Sequence, residues 1–351
     1  MRPPLYISVG FCTFVEHNRQ YNFIPHTDMN AIIPPFKFVP YLKSVLWGGD
    51  KIAPFKGIDT DQQAIGESWE ISGVPGHESV VAEGADKGMT LPALIEKYGG
   101  RLVGDKVLAR FGTTFPLLIK LIDAKKDLSV QVHPDDELAM KRHNSLGKTE
   151  MWYIIDAEPG AKIYAGLSEQ ITPDDYTRLV GEKKIMDVIA SHDSHAGDLF
   201  FLPAGRIHAI GAGNLLAEIQ ETSDITYRVY DFDRRDANGN TRELHTEQAK
   251  DAIDYTVYPE YKSEYDREAK GEVPLIDCDY FDVNLVKADG RQTIAMSHDS
   301  FMVIMCLEGE CQIITDHGTI TAMRRGETIL VPAATASVEA NGTTTLLTAQ
   351  A

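Results

Sequence analysis

The sequence predicts a mainly β protein, built as an antiparallel sandwich or barrel with a few short helices. Seven runs between residues 115 and 232 are rich in β-branched and aromatic side chains, which favour strands. Glycine and proline separate these runs at short, even intervals, and helical patterns are too scarce for a regular alternation of strand and helix. A strand pattern of the same kind recurs near the C-terminus, which indicates a second β unit.

The predicted strands are short, and one of them has a distinctive polar face. They are FPLLIKLID (115–123), LSVQVH (128–133), EMWYIID (150–156), AKIYAGL (161–167), DLFFLPA (198–204), LLAEIQE (215–221) and ITYRVYDF (225–232). Alternation in the second strand puts Ser129, Gln131 and His133 on one face and Val130 and Val132 on the other. A sheet with one face in water would also explain this alternation, so the other strands decide its meaning.

Helical signals are confined to a few segments of the chain. Three segments are predicted to be helical: 91–99, 172–192 and 241–255. Thr90 is the expected N-cap of the first helix, and Thr172 followed by Pro173 opens the second. Residues 257–273 are charged and lack a core pattern, so they are predicted to be a linker.

The two sides of this linker repeat one pattern. MWYIIDAEPGAKIY and GDLFFLPAGRIHAI on one side correspond to FMVIMCLEGECQII and RGETILVPAATASV on the other. The pattern resembles the cupin β-barrel, a small double-stranded jelly roll, which implies two cupin-like barrels. His208 stands five residues after the proline of the first copy, whereas Ser337 takes that place in the second. The first barrel is therefore expected to carry a metal site that the second lacks.

The repeat and the linker together predict a domain organisation. Residues 1–28 match no element and are expected to be an N-terminal extension, residues 29–256 a catalytic cupin-type barrel with short helical segments, and residues 274–351 a C-terminal barrel without metal. The linker, 257–273, separates the two barrels.

Composition excludes several classes of partner. The formal net charge is −18, which disfavours binding to nucleic acid or to anionic membranes. The four cysteines form no CxxC pair, which favours a reducing compartment and predicts a cytoplasmic protein. No run reaches the roughly 18 apolar residues of a membrane span, and the N-terminus lacks a clear cleavage site. We expect no membrane partner, and either a monomer or a homodimer.

A metal site is predicted from four residues of the first barrel. Gln131 and His133 lie two apart on one strand, and Glu150 lies two residues after Lys148 at the start of the next. His208 follows PAGRI on a later strand. In a barrel these strands are expected to be neighbours, so the four side chains can converge on one interior point. Two imidazoles, a carboxylate and an amide oxygen suit a divalent ion, with zinc favoured.

The motifs around these residues resemble a known enzyme family. The segments concerned are LSVQVHPDDELA, GKTEMWYII, GDLFFLPAGRIHAIG and SDITYRVYDFDR, in this order, with VPYLKSVLWGG and ESWEISG nearer the start. They resemble the type I mannose-6-phosphate isomerases, closest to the short bacterial form. The resemblance implies one zinc ion per chain, held by Gln131, His133, Glu150 and His208. It also implies interconversion of mannose 6-phosphate and fructose 6-phosphate, by proton transfer between C1 and C2 through a cis-enediol.

The resemblance further implies roles that spacing alone does not give. Arg228 falls on the family's catalytic arginine, expected to stabilise enediolate charge; without the resemblance, an ion pair with Asp224 or Asp231 is the simpler reading. Ser129 and Lys148 fall on positions associated with the substrate phosphate or adjacent oxygens. Lys148 and Asp224 are both candidates for the base, and Asp224 is also an expected substrate contact.

Two other functions remain open at this stage. One is a related cupin enzyme that acts on another phosphosugar or uses iron, since cupins with two histidines and a carboxylate include oxygenases. The other is a sugar-binding protein without catalysis. Gln131 as a fourth ligand, and Lys148 with Arg228 for an anionic sugar, favour the isomerase over both.

Overall fold

The strands predicted from the sequence belong to three antiparallel sheets. The computed structural model describes residues 31–235, 238–296 and 299–351, and residues 33–351 form one compact unit. The strands are β1 Phe36–Val39, β2 Tyr41–Gly49, β3 Ile65–Ile71, β4 Val80–Val81, β5 Leu117–Ala124, β6 Val130–Val132, β7 Glu150–Ala157, β8 Lys162–Leu167, β9 Ile189–Asp193, β10 Leu199–Leu202, β11 His208–Ile210, β12 Asn214–Glu221, β13 Tyr227–Tyr230, β14 Lys262–Ser263, β15 Gly271–Asp277, β16 Asp282–Ile294, β17 Met302–Thr315, β18 Ile320–Arg324, β19 Thr328–Val331 and β20 Val338–Gln350. The α-helices are α1 Ile52–Lys56, α2 Leu91–Tyr98, α3 Gly100–Val103, α4 Asp105–Phe111, α5 Asp136–His143, α6 Pro173–Gly181 and α7 Thr246–Ala252.

The first barrel consists of two sheets that pack face to face. One sheet has seven strands in the order β14-β10-β7-β12-β5-β2-β3, and the other has five in the order β13-β6-β11-β8-β9. Trp152 and Phe200 from the first sheet pack in one apolar cluster with Ile163 and Ala165 from the second. Burial of these large apolar side chains between the sheets stabilises the barrel.

A third sheet of eight strands forms the C-terminal barrel and takes strands from both ends of the described chain. Its order is β15-β16-β20-β17-β19-β1-β4, with β18 paired to β17. Phe36 of β1 lies opposite Leu330 of β19. The predicted mainly β fold of two cupin-like barrels with few short helices is confirmed. The boundaries of the two barrels stay a prediction, and the expected extension, 1–28, lies outside the described residues.

The predicted linker, 257–273, contributes to the first barrel as well as crossing from it. Lys262–Ser263 forms β14 on the edge of the seven-stranded sheet. Tyr261 is buried, and its hydroxyl donates to the carbonyl oxygen of Leu167 at 2.8 Å. This segment is therefore packed against β8, although its charged sequence gave no core pattern.

The predicted helices differ in how well they match. Thr90 caps α2 and Thr172 caps α6, as expected, by accepting hydrogen bonds from backbone N–H groups. The prediction of one helix over 172–192 is wrong beyond Gly181, because residues 185–188 form a 3-10 helix and β9 then pairs with β8. Helix α7 starts only at Thr246. Residues 241–245 instead run beside β13, where the His245 N–H donates to the Arg228 carbonyl at 2.8 Å.

No helix in the described ranges is long and apolar enough to cross a membrane.

Candidate metal centre and adjoining cavity

Three side chains from separate segments point ligand atoms at one buried spot. His208 Nε2 lies 3.1 Å from Glu150 Oε1, and His133 Nε2 lies 3.6 Å from Glu150 Oε2. The ligand atoms of these residues all lie within 4.8 Å of one another. Each side chain is fully buried. Two imidazoles and a carboxylate at this spacing form a donor set that suits a divalent transition-metal ion.

Hydrogen bonds on the far side of each ring determine which nitrogen faces the spot. Nδ1–H of His133 donates to the carbonyl oxygen of Ile225, and Nδ1–H of His208 donates to that of Arg206, both at 2.8 Å. Each Nε2 therefore carries the lone pair. Burial lowers the pKa of His133 well below its usual value and that of His208 to about 3. Both rings are thus neutral at physiological pH and can bind a cation.

Several buried polar atoms at this spot make no well-oriented hydrogen bond, although charged neighbours lie close to them. His133 Nε2 and both carboxylate oxygens of Glu150 accept no hydrogen bond from the described residues. Burial raises the pKa of Glu150, and the ammonium of Lys148, 3.0 Å from Oε2, opposes that rise. Buried polar atoms without partners cost free energy. A cation between them would supply the missing interactions, so the residues present fit a metal ion.

The four predicted ligands come together from two facing sheets. Gln131 on β6 lies directly opposite His208 on β11, and its Nε2 is 3.2 Å from His208 Nε2. His133 follows the end of β6. Glu150 starts β7, which belongs to the seven-stranded sheet. The expectation that all these strands are neighbours is therefore wrong for β7. The carboxylate of Glu150 reaches the spot from the facing sheet, across the barrel.

A cavity of about 420 Å³ adjoins the cluster, between the two sheets. It is lined by Lys43, Val45, Trp47, Glu67, Trp69, Lys120, Ile122, Leu128, Ser129, Gln131, Lys148, Ile210, Glu218, Asp224, Thr226, Arg228 and Arg242. The predicted residues Ser129, Lys148, Asp224 and Arg228 all stand in this wall. The structure thus brings these four side chains to one cavity beside the metal cluster, and their roles stay predictions.

Arg228 does not form the ion pair that its sequence neighbours suggested. Its Nε donates to Ser129 Oγ at 3.4 Å, and Nη1 donates to the carbonyl oxygen of Glu243 at 2.9 Å. Asp231 is paired instead with Arg234 and Arg242. The guanidinium of Arg228 therefore faces the cavity with neutral hydrogen-bond partners.

Comparison with known proteins identifies the family. A model of the phosphomannose isomerase type I catalytic domain matches residues 36–163, and one of the mannose-6-phosphate isomerase cupin domain matches residues 272–350. Mannose-6-phosphate isomerase ManA of Bacillus subtilis is 36% identical over 304 residues, which cover 85% of this chain and 93% of the relative. The chain belongs to the type I mannose-6-phosphate isomerase family. The resemblance found in its motifs is thereby confirmed.

Two further comparisons, one of sequence and one of structure, match different shares of this chain. The mannose-6-phosphate isomerase of Streptococcus mutans is 39% identical over 208 residues, covering 59% of this chain and 64% of the relative. The crystal structure of the Bacillus subtilis mannose 6-phosphate isomerase superposes with a TM-score of 0.81 at 32% identity, covering 90% of this chain and 99% of that one. The superposition with the Bacillus subtilis structure thus spans both barrels of the fold.

The cavity of this protein also contains a buried ion pair, Lys120 with Glu218, that the sequence patterns did not predict. Lys120 Nζ donates to Glu218 Oε1 at 2.8 Å and to Gln220 Oε1 at 2.7 Å. The indole N–H of Trp152 donates to the second oxygen of Glu218 at 2.8 Å. Burial raises the pKa of Glu218, but Lys120 and Lys148 outweigh it, so that the pKa lies below its usual value. The one sequence feature that could have indicated this ion pair is a lysine, Lys120, inside an otherwise apolar strand.

Proposed function

We propose that this protein is a zinc-dependent aldose–ketose isomerase that interconverts D-mannose 6-phosphate and D-fructose 6-phosphate. One observation carries the proposal: the unsatisfied ligand atoms of His133 and Glu150 meet His208 beside a cavity lined with cations. A metal centre beside a cation-lined pocket suits a small anionic sugar. Membership of the isomerase family supplies the reaction type.

Gln131, His133, Glu150 and His208 would hold one zinc ion per chain. The Gln131 amide lies 3.2 Å from His208 Nε2, and a half-turn of that amide would offer its oxygen in place of its nitrogen. Neutral imidazoles with a carboxylate are a common zinc donor set. When bound, zinc would polarise a carbonyl oxygen of the open-chain sugar and orient that chain.

Arg228 and Lys148 are the proposed catalytic residues. Isomerisation removes a proton from one of the carbons C1 and C2 and returns a proton to the other, through a cis-enediol. Removal of the carbon proton places negative charge on an oxygen, as in the enediolate form of that intermediate. Arg228 stands one strand from Gln131, with donors free to stabilise that charge. Lys148 is buried beside Glu150 and moves the proton.

Ser129, Lys148 and Asp224 are the proposed substrate contacts. Ser129 is buried next to Arg228, whereas Asp224 is exposed in the cavity wall. A buried hydroxyl and ammonium suit anionic oxygens, and an exposed carboxylate suits sugar hydroxyls.

The protein is further proposed to act in the cytoplasm without nucleic-acid or membrane partners, as a monomer or homodimer. Cys278, Cys306 and Cys311 carry free thiols, which fits a reducing compartment. The net charge of −18 favours a small-molecule partner over nucleic acid.

The test is isomerisation of mannose 6-phosphate by the wild type, with and without chelator, beside His208→Ala. We expect activity that chelator abolishes and zinc restores, and none in the variant. His195→Ala, at an exposed histidine that is not part of the cluster, is the matched control and should retain activity. Full activity in chelator or in His208→Ala would contradict the metal site. No activity in the zinc-loaded wild type would contradict the reaction.

A further inference from the structure

The cations of the cavity divide into two groups by their partners. Lys43 is paired with Glu67 at 3.3 Å, Lys120 with Glu218 at 2.8 Å, and Lys148 with Glu150 at 3.0 Å. Each lysine thus has a carboxylate of its own. The two guanidiniums of the wall lack this one-to-one match.

Arg228 and Arg242 share one end of the cavity. No ion pair joins Arg228 to a carboxylate in the part of the chain that the structure describes, and Arg242 is close enough to lower its pKa, after the larger effect of burial. Arg242 is paired with Asp231, but Asp231 also carries Arg234. Arg234 and Arg242 therefore share the single carboxylate of Asp231, next to Arg228. The three guanidiniums outnumber their carboxylate partner, so this end of the cavity carries excess positive charge.

The Asp231 contact orients Arg242. Nε and Nη2 of Arg242 donate to the two oxygens of Asp231, at 2.8 and 2.5 Å. Arg234 donates to Oδ1 of the same Asp231 carboxylate, which it shares with Nη2 of Arg242, and also to the carbonyl oxygen of Asp127. Arg234 does not line the cavity, whereas Arg242 does. A guanidinium fixed along one edge presents its remaining Nη1 donors in a set direction, as oxyanion binding requires.

The position of Arg242 relative to the metal cluster suits one end of a sugar phosphate. His208, Gln131 and Arg228 lie opposite one another on three successive strands. Residues 241–245 run beside β13, the last of these strands, through two hydrogen bonds between His245 and the Arg228 backbone. Strands lie about 4.8 Å apart, so this segment is roughly 10 Å from β6. A phosphate there would be separated from the cluster by the carbon chain of the sugar.

We propose that Arg242 binds the phosphate group of the substrate, beyond Arg228 as seen from the metal cluster. This assignment rests on the proposed isomerase function and adds to it the residue that selects a phosphorylated sugar. Arg228 then remains available to stabilise the negative charge that develops at C1 and C2. Asp224 and Glu243, the exposed acids near this end, bring no ion pair to Arg242 in the described ranges.

The test compares Arg242→Gln with Arg235→Gln, an arginine of the same loop that is exposed and absent from the cavity wall. In the metal-loaded protein, Arg242→Gln should raise KM for mannose 6-phosphate by roughly 10- to 100-fold while kcat changes little, because a charged hydrogen bond is lost from binding. The inhibition constant of inorganic phosphate should rise in parallel. Arg235→Gln should match the wild type in both.

Titration of the wild type and of Arg242→Gln with inorganic phosphate tests phosphate binding by Arg242 independently of the proposed isomerase activity. If the wild type binds phosphate and Arg242→Gln binds it at least tenfold more weakly, Arg242 is supported even where no isomerisation is seen. Unchanged phosphate binding and KM in Arg242→Gln would overturn the assignment. If that variant fails to fold, Arg242→Lys keeps a charge for Asp231 and carries the test: weaker phosphate binding supports the proposal, and wild-type binding overturns it.

Discussion

At the scale of single residues, Lys120 is the most constrained cation of the cavity. It lies in β5, whose eight residues are all buried. Its ammonium is held by Glu218 and Gln220 on the neighbouring strand, where Lys120 and Glu218 lie directly opposite each other. Breaking a buried ion pair leaves an uncompensated charge, which costs more than the pair contributes. The fold therefore tolerates the loss of both charges better than the loss of one.

Lys120→Met is expected to lower the free energy of unfolding by about 3–5 kcal/mol. Adding Glu218→Gln should recover a large part of this loss, because the amide can still accept the indole N–H of Trp152. Urea unfolding of the three variants at neutral pH measures the coupling. Lys43→Met, whose partner Glu67 lies at a more exposed site, is the control and should cost less than about 1 kcal/mol. Simple addition of the two losses would contradict the argument.

The metal cluster could be predicted from sequence because strand alternation is local information. Gln131 and His133 interrupt an apolar alternation, and His208 has no counterpart in the second copy of the repeat. Lys120 could not be recognised in the same way, because both faces of its strand are buried and its run shows no alternation. Glu218 does alternate with apolar neighbours, but such alternation also predicts a face in water, and the burial of both faces of β12 is a tertiary feature. Arg242 depends on how a loop returns along β13, which no local pattern specifies.

At the scale of elements, the sequence predicted the type of each helix better than its boundaries. The capped starts of α2 and α6 were correct because a cap is a local hydrogen bond. The end of α6 was missed because residues 189–193 gain more by pairing with β8 than by continuing a helix. The packing of Tyr261 was missed because one buried ring in a charged segment gives no periodic signal.

The contact between Tyr261 and β8 depends on a glycine. Gly166 has a φ of +77°, and a Cβ there would lie 2.0 Å from Cε1 of Tyr261. Gly160 has a φ of +85° with no atom within 4 Å of such a Cβ, so it reports the backbone cost alone. We expect Gly160→Ala to cost about 1 kcal/mol and Gly166→Ala roughly 1–3 kcal/mol more, from chemical unfolding. Equal losses would show that Tyr261 moves aside freely.

At the scale of the whole molecule, the two barrels share a hydrophobic core. One buried cluster contains Phe36 from the first strand, Ile119 and Met151 from the seven-stranded sheet, and Val303 and Leu347 from the C-terminal barrel. The chain therefore cannot expose the C-terminal strands without also exposing apolar surface of the first barrel. Such a shared core favours one cooperative unfolding transition.

Phe301→Ala tests this coupling. The ring of Phe301 packs against that of Phe115, with centroids 4.4 Å apart, and both are fully buried in the shared cluster. Its loss should cost about 3–5 kcal/mol, whereas Ile320→Ala on an exposed strand should cost less than about 0.5 kcal/mol. All three tryptophans, Trp47, Trp69 and Trp152, lie in strands of the seven-stranded sheet. Their fluorescence therefore reports on the first barrel, while circular dichroism reports on both. We expect both signals to shift together in the variant. A dichroism transition that moves ahead of an unchanged fluorescence transition would mean that the C-terminal barrel unfolds by itself.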